Sequence, residues 1–202
     1  SIKRITSNYF DELKDGESIQ SASAIRKLIL SDADIHNYVP RDVALVFQHR
    51  KATSYEDFYP ALYTSIKRST TEELSLIYHV NEGLENRIAS IHNFTSIDDL
   101  IKQLITKRYT NSKLKRTLAH ILCNVKKTDI PSFDIPYIRI LGMNHLGREL
   151  LHTIKHTIDV PLYTKIKEGL HPYIDIELRV SKLYSIGSDK ETYTEEFKPV
   201  IY

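Results

Sequence analysis

Cysteine is nearly absent from this sequence, since Cys123 is the only one among 202 residues. A single cysteine excludes a disulfide within the chain and favours a reducing, cytoplasmic compartment. Cys123 follows Leu122 in a helical pattern, and no base partner for a nucleophilic thiol lies near it in the sequence. We therefore expect Cys123 to act as a small buried apolar residue.

Long apolar runs are also absent. No stretch approaches the ~20 apolar residues that a membrane-spanning helix needs. The first four residues, Ser1–Arg4, lack the basic and apolar regions of a signal peptide. The chain does not begin with methionine, which predicts a fragment or a trimmed chain. Together these absences predict a cytoplasmic globular protein that does not contact a membrane.

Recognisable catalytic motifs are missing as well. The sequence contains no Walker-type loop, no Gly-x-Ser-x-Gly elbow and no dinucleotide fingerprint. His152 and His156 are four residues apart, but position 153 is Thr where a zinc protease needs Glu, so no metal site is expected. His145–Arg148 resembles the His-x-Gly-His signature of nucleotidyltransferases but ends in Arg, which favours a glycine-containing turn between strand and helix. We therefore predict no catalytic residue in this chain.

Acidic residues are missing from one long stretch. Residues 101–128 contain no Asp or Glu. Their basic residues are Lys102, Lys107, Arg108, Lys113, Lys115, Arg116, Lys126 and Lys127. Because the net charge of the whole chain is only +2, a uniformly basic nucleic-acid binder is excluded, and the positive charge is concentrated in one place.

Hydrophobic spacing predicts a mainly helical protein with one small β-α-β element near 137–164. Helices are predicted at 21–30, 42–47 and 56–68, from Thr71 through Tyr78, at 84–91, after Ser96, and at about 112–125, 147–158 and 174–184. Strands are predicted at 137–141 and 160–164, and a polar tail follows the last helix. Thr70 and Ser96 are predicted helix caps.

The basic stretch contains a junction between two helices. Thr110, Asn111 or Ser112 can cap the second helix, and free backbone N–H groups at a helix start attract phosphate. The basic residues nearest to this start are Lys107, Arg108, Lys113, Lys115 and Arg116. Tyr109 adds a ring that could stack on an unpaired base. The alternative is a solvated helix face, but such faces normally mix charges of both signs, so the missing carboxylates favour phosphate or RNA binding.

A second helix start combines hydroxyl groups with a guanidinium. Ser21 and Ser23 precede Arg26 within about one turn. Such a start can hold a nucleotide phosphate through backbone N–H groups, a hydroxyl and an Arg. On the residues alone, an ordinary capped helix is the better interpretation.

Five segments in this order resemble one family. They are Ser21–Lys27 (SASAIRK), Glu82–Ile88 (EGLENRI), Thr106–Thr110 (TKRYT) with Arg116 downstream, Tyr137–Gly147 (YIRILGMNHLG) and Ser181–Tyr184 (SKLY). Their order and spacing are similar to those of the carboxy-terminal portion of the bacterial tRNA(Met) cytidine acetate ligases. The resemblance spans nearly the whole chain.

The resemblance implies an activity for the full-length protein. Members of this family use ATP, accompanied by Mg²⁺, to convert acetate to acetyl-adenylate, and then acetylate the wobble cytidine of elongator tRNA(Met). Their amino-terminal α/β domain holds the His-x-Gly-His motif. By resemblance, residues 1–38 are the end of that nucleotide-binding domain and residues 39–202 form a helical tRNA-binding domain. The chain alone is then expected to be inactive.

The resemblance also implies roles for particular residues. The family motif Ser-Ala-Thr-x-Ile-Arg matches Ser21–Arg26, with Ser23 in place of Thr. The residues expected near ATP phosphates are therefore Ser21, Ser23 and Arg26, with Arg4 a weaker candidate. Contact with the tRNA backbone is expected from Lys107, Arg108 and Arg116. Lys113 stands where the family usually has Arg, which keeps the charge but loses bidentate geometry.

The sequence leaves two other functions open. The chain could be a non-catalytic RNA-binding adaptor, or a self-contained nucleotidyltransferase built around His145–Arg148. The roles of Glu82, Glu85 and Arg87 are also open, with an internal ion pair and helix face as the plainer interpretation.

Overall fold

The computed structural model describes residues 20–48, 52–130, 135–188 and 191–198. The chain divides into two compact units, Ser1–Tyr55 and Glu56–Tyr202. The predicted functional boundary between residues 38 and 39 stays a prediction. Arg4 lies outside the described residues, so its role stays a prediction.

The described part of the chain is rich in helices, as predicted. Its α-helices are α1 (Ala22–Leu30), α2 (Arg41–Gln48), α3 (Tyr59–Arg68), α4 (Thr71–Ser75), α5 (Leu84–Ser90), α6 (Ile97–Leu104), α7 (Asn111–Leu122), α8 (His145–Ile154), α9 (Pro172–Ser188) and α10 (Thr192–Glu195). Its strands are β1 (Ile138–Arg139) and β2 (Leu162–Tyr163). None of the described helices is both long enough and apolar enough to cross a membrane.

The first unit contains α1 and α2. Ser21 caps α1, and its side-chain oxygen accepts a hydrogen bond from the Ala24 backbone N–H at 3.1 Å. The predicted helix at 21–30 is therefore confirmed, with Ser21 rather than Ser23 as the cap. Pro40 precedes α2, and its carbonyl accepts hydrogen bonds from the backbone N–H groups of Val43 and Ala44. A proline just before the first turn costs no helical hydrogen bond, so α2 can begin there.

The main core of the second unit lies among α3 to α7. Its fully buried side chains are Leu62, Leu74, Leu84, Ile88, Phe94, Ile97, Leu100, Leu104, Leu114 and Leu118. They recur at helical spacing, so each helix places one apolar stripe against its neighbours. A carboxylate from outside α6 completes the start of that helix: the two oxygens of Glu56 accept hydrogen bonds from the N–H groups of Ile97 and Asp98, each at 2.8 Å.

One predicted helix is shorter than expected. Thr70 and Glu73 form the capping box of α4, but the helix ends at Ser75 instead of continuing through Tyr78. Tertiary pairing overrides the helical pattern here, because Ile77 forms an antiparallel bridge with Lys126. The Tyr78 N–H then donates to the carbonyl oxygen of Val125 at 2.8 Å. The loop from 76 to 83 is thereby attached to the end of α7.

The predicted β-α-β element is confirmed. Strands β1 and β2 are parallel, with Ile138 opposite Leu162 and Arg139 opposite Tyr163, and α8 connects them. A small second core, built on Ile166, Ile174 and Leu178, packs beside this sheet. The guanidinium of Arg139 pairs with Glu177 of α9 and with Glu196 just after α10, which joins the sheet to the end of the chain.

The carboxy-terminal helices extend beyond the prediction. Helix α9 runs from Pro172 to Ser188, and α10 lies in the segment that was predicted to be a polar tail. Gly187 has a packing role in α9, because a Cβ at this position would lie 2.4 Å from the Phe58 ring. The Phe58 ring therefore packs directly on the α9 backbone, and a larger residue at 187 would require the ring to shift.

Candidate nucleic-acid interface

The junction between α6 and α7 is a fixed turn. The Thr106 N–H donates to the Tyr109 carbonyl at 3.1 Å, and the Tyr109 N–H donates to the Thr106 side-chain oxygen at 3.1 Å. Of the three caps that the sequence allowed for α7, Thr110 is the one used: its side-chain oxygen accepts from the Lys113 N–H at 3.4 Å. The start of α7 is therefore held in one position relative to α6.

Tyr109 anchors this turn from the inside. Its side chain is only 4% exposed. Its hydroxyl donates to the carbonyl oxygen of Glu82 at 2.8 Å, with the Asn81 carbonyl at 3.3 Å. The Lys113 ammonium lies 5.1 Å from the ring centroid. The predicted stacking of Tyr109 on a base is therefore wrong for this structure, since the buried ring supports the turn and its cations instead.

The predicted basic residues lie on the surface of this junction. Lys107, Arg108, Lys115 and Arg116 are exposed, and Lys113 is partly exposed. Arg116 shares the first half of α7 with Lys113, and its Nε lies 3.5 Å from the Ser112 carbonyl of the same helix. The structure thus gathers these side chains around one helix start, where phosphate is attracted both by their charge and by backbone N–H groups.

Glu82 lies beside two of the basic residues, a position that the sequence did not predict. Its carboxylate lies 3.8 Å from Arg108 Nε and 3.9 Å from Lys113 Nζ. A loop that is distant in sequence therefore places one negative charge beside the basic residues. All three side chains are substantially exposed, and such pairs contribute little to stability. Glu82 has a φ of +59° and is followed by Gly83 at +83°. This left-handed turn directs the Glu82 carbonyl to Tyr109 and its carboxylate to the cations.

A cluster of three rings lies beside the same helix. Tyr78 and His79 stack with ring centroids 4.2 Å apart, and His120 of α7 lies 4.9 Å from His79. Burial lowers the pKa of His79, and the charges of Arg116 and Lys113 lower it further. Burial also lowers the pKa of His120, with His79 and Arg116 adding to this effect and the Tyr78 backbone partly opposing it. Both histidines therefore favour the neutral form at neutral pH.

The start of α1 presents a different surface. Ser21 is 3% exposed and its hydroxyl already caps the helix. Ser23 is partly exposed and Arg26 is exposed. Arg26 is the exposed charged group at this start, whereas Ser21 is almost fully buried. The assignment of these residues to ATP stays a prediction.

The segment His145–Arg148 does not form the predicted turn. Helix α8 begins at His145, so Gly147 lies in its first turn, where its N–H donates to the Asn144 side chain at 2.9 Å. Arg148 and His152 line an open cleft of about 780 Å³. Within the described ranges, no group of three or more His, Cys, Asp or Glu side chains is placed to hold a metal ion.

Cys123 caps the end of α7 and is half-buried. Burial raises the pKa of its thiol, and the nearby Arg179 only partly opposes this. A raised pKa keeps the thiol protonated and unreactive.

The chain matches known proteins along nearly its whole length. The model of the HIGH Nucleotidyl Transferase family matches residues 1–198. The chain therefore belongs to the HIGH nucleotidyl transferase family.

Curated relatives within this class have a more specific name. The chain is 34% identical over 198 residues to the tRNA(Met) cytidine acetate ligase of Bacillus mycoides, covering 91% of this chain and 50% of the relative. It is 35% identical over 198 residues to the protein of that name from Bacillus cytotoxicus, with the same coverage. The family resemblance inferred from the five sequence segments is confirmed. The chain spans about half the length of the curated relatives it matches.

Solved structures show the same fold. Apo TmcAL from Thermotoga maritima has a TM-score of 0.83 and 21% identity, covering 99% of this chain and 54% of that one. The form of TmcAL bound with alpha-thio ATP has a TM-score of 0.77 and 21% identity, covering 92% of this chain and 52% of that one.

Proposed function

We propose that this chain is the tRNA-holding part of an ATP-dependent ligase that acetylates the wobble cytidine of elongator tRNA(Met) through acetyl-adenylate. The observation that supports this most directly is the set of cations around the start of α7. They sit on a turn that the buried Tyr109 fixes in place. The name of the relatives, tRNA(Met) cytidine acetate ligase, supports tRNA(Met) as the substrate in this proposal.

Phosphate contact is the role that this geometry suits best. Lys107, Arg108 and Arg116 are exposed and flank a capped helix start. Most of the affinity of proteins for nucleic acids comes from cations that replace the counterions of the phosphates. A rigid turn adds to this, because cations that are already positioned lose less freedom on binding. The base to be acetylated would then be presented from an unpaired loop, where unstacking costs least.

The nucleotide side of the proposal involves the start of α1. Arg26, with Ser23 and Arg4, would face the ATP phosphates, and Mg²⁺ would accompany the nucleotide. A guanidinium and helix N–H groups in this position stabilise the charge that develops on the departing pyrophosphate. Ser21 fixes the helix start through its side-chain oxygen, and its O–H belongs to the same proposed phosphate site. The His-x-Gly-His motif is absent from these 202 residues, so we expect the chain alone to bind tRNA without forming acetyl-adenylate.

The test is a salt titration of tRNA binding, followed by fluorescence anisotropy with a labelled tRNA(Met) transcript. We expect the variant with Lys107→Ala, Arg108→Ala and Arg116→Ala to bind about 10- to 100-fold more weakly at low salt. Its slope of log affinity against log salt should be smaller by about 2 to 3, because each lost phosphate contact removes about 0.7 to 0.9 from the slope.

A matched control removes the same charge elsewhere in the second unit. Lys155, Lys165 and Lys167 are exposed and lie in the β-α-β region, so their replacement by Ala should leave the slope nearly unchanged. Equal weakening in both triple variants would show that only net charge matters. The absence of salt-dependent binding by the unaltered chain would overturn the proposal.

A further inference from the structure

The rings of Tyr78, His79 and His120 form a partly exposed aromatic surface that the phosphate contacts do not use. Tyr78 and His79 stack at a centroid distance of 4.2 Å and an interplanar angle of 25°. His120 completes the cluster at 4.9 Å from His79 and 5.3 Å from Tyr78. Rings that are stacked in advance and still partly open to solvent resemble the platforms on which proteins hold unpaired bases.

The backbone at His79 is held in a costly conformation. Its φ of +66° lies in the left-handed region, which non-glycine residues seldom adopt. Hydrogen bonds on both sides hold it there: the Tyr78 N–H donates to Val125 at 2.8 Å and the Val80 N–H to Ile77 at 3.1 Å. Backbone conformations of this kind persist where the surrounding structure fixes them, and they cluster at active sites, ligand clamps and switch regions.

The rings adjoin the cations of α7. The charges of Arg116 and Lys113 reach His79, and that of Arg116 also reaches His120. Burial lowers the pKa of both imidazoles, and the charge of Arg116 lowers both further, so uncharged rings lie next to permanent positive charges at neutral pH. Stacked bases joined by phosphates need this combination of an aromatic face and a neighbouring cation.

We propose that Tyr78, His79 and His120 form a stacking site for an unpaired RNA base, with the adjoining phosphate held by the cations at the start of α7. This inference rests on the proposed function and deepens it by naming a base-contacting site. It also supplies the aromatic contact that Tyr109, being buried, does not provide.

His79→Asn is the informative variant, because Asn tolerates a positive φ and removes the ring without new backbone strain. His79→Gly serves as a second variant with still lower backbone cost. The probes are a stem-loop RNA with the anticodon loop of tRNA(Met) and the same RNA with abasic loop nucleotides. We expect the unaltered chain to bind the abasic RNA about tenfold more weakly, the typical effect of one stacked base. Both His79 variants should bind the two RNAs nearly equally.

The salt slope separates this inference from the proposed function. Both His79 variants should keep the slope of the unaltered chain, because a neutral ring contacts no phosphate. In spectra of histidine-labelled protein, the His79 ring protons should shift upfield when the intact stem-loop is added. If both variants bind the intact RNA as tightly as the unaltered chain does, the stacking site is wrong and the phosphate site stands. If the unaltered chain shows no salt-dependent binding, both proposals fail.

Discussion

Two helices of this chain, α1 and α7, begin in the same way, with a hydroxyl side chain that accepts a hydrogen bond from the backbone three residues on. Their surroundings differ. The Ser21 cap of α1 is 3% exposed, and the nearby basic residues are Arg26 and Lys27. The Thr110 cap of α7 is exposed, and cations lie on both sides of it.

The difference shows that capping alone does not determine which charges surround a helix start. The cap satisfies one backbone N–H in either helix. What distinguishes α7 is the turn fixed by Tyr109, which brings cations from before and after the cap to one surface. At the start of α6 a carboxylate of the protein takes the place that an anion would occupy, since Glu56 already accepts hydrogen bonds from two of its N–H groups.

The largest expected effect comes from removing the support under α7. Tyr109→Ala should lower the free energy of unfolding of the second unit by about 3–5 kcal/mol, the usual cost of deleting a buried aromatic ring. Tyr109→Phe should cost about 1 kcal/mol, because only the hydroxyl contacts with Glu82 and Asn81 are lost. Urea denaturation measures both values, and Tyr184→Ala, at a position 39% exposed, is the control. A stable Tyr109→Ala variant would show that the turn does not depend on the ring.

The two caps should differ in strength. Ser21→Ala should destabilise the start of α1 by about 1–2 kcal/mol, because the buried N–H of Ala24 has no water to replace the hydroxyl. Thr110→Ala should destabilise the exposed start of α7 by about 0.5–1 kcal/mol, since water can replace the cap there. Hydrogen exchange at the amides of Ala24 and Lys113 reports each cap separately. Equal losses of stability in the two variants would mean that the exposure of a cap does not determine how much it contributes.

A smaller effect is expected from the carboxylate inside the basic surface. Glu82→Gln should strengthen tRNA binding about two- to fivefold at low salt, because Arg108 and Lys113 then face the RNA phosphates without a competing charge. Anisotropy titrations measure the change, with Glu85→Gln on α5 as the control. Weaker binding in the Glu82 variant would show instead that the carboxylate positions the two cations.

The smallest effect concerns pH. The pKa values of His79 and His120 are lowered from 6.5, so the unfolded state binds more protons than the folded state in the window just below that value. The free energy of unfolding should therefore rise as pH increases through this window and fall on acidification. Urea denaturation across the window should show a shallower rise for His79→Asn, whereas His156→Asn, at an exposed position, should match the unaltered chain. An unchanged rise in the first variant would contradict the burial of His79.

The features that the sequence predicted are mostly local. The caps at Thr70 and Ser96 were predictable because a hydroxyl residue and the acidic residue that follows it lie within one turn. The α8 crossover between two short strands followed from a helical segment flanked by two short β-like runs. The cations of α7 were identified from charge alone.

The features that the sequence did not predict depend on distant pairs. Burial of Tyr109 requires carbonyl groups of the loop before α5, and the end of α4 is set by the pairing of Ile77 with Lys126. The ring cluster joins His79 to His120, which no local spacing relates. The positive φ at His79 and Glu82 could not be predicted from the sequence either, because neither residue type indicates a left-handed turn as glycine does.

Arg179 of α9 places a positive charge at the carboxyl end of α7. Its Nη1 donates to the carbonyl oxygens of Cys123 and Asn124 at 3.2 and 2.7 Å, where the peptide dipoles of α7 leave a partial negative charge. A polyanion lying along α7 would otherwise be attracted at one end and repelled at the other. The guanidinium, which also lies 3.9 Å from the Asp129 carboxylate, offsets this partial negative charge. Cations therefore stand at both ends of this ~18 Å helix, a distance that several consecutive phosphates of an RNA strand would span.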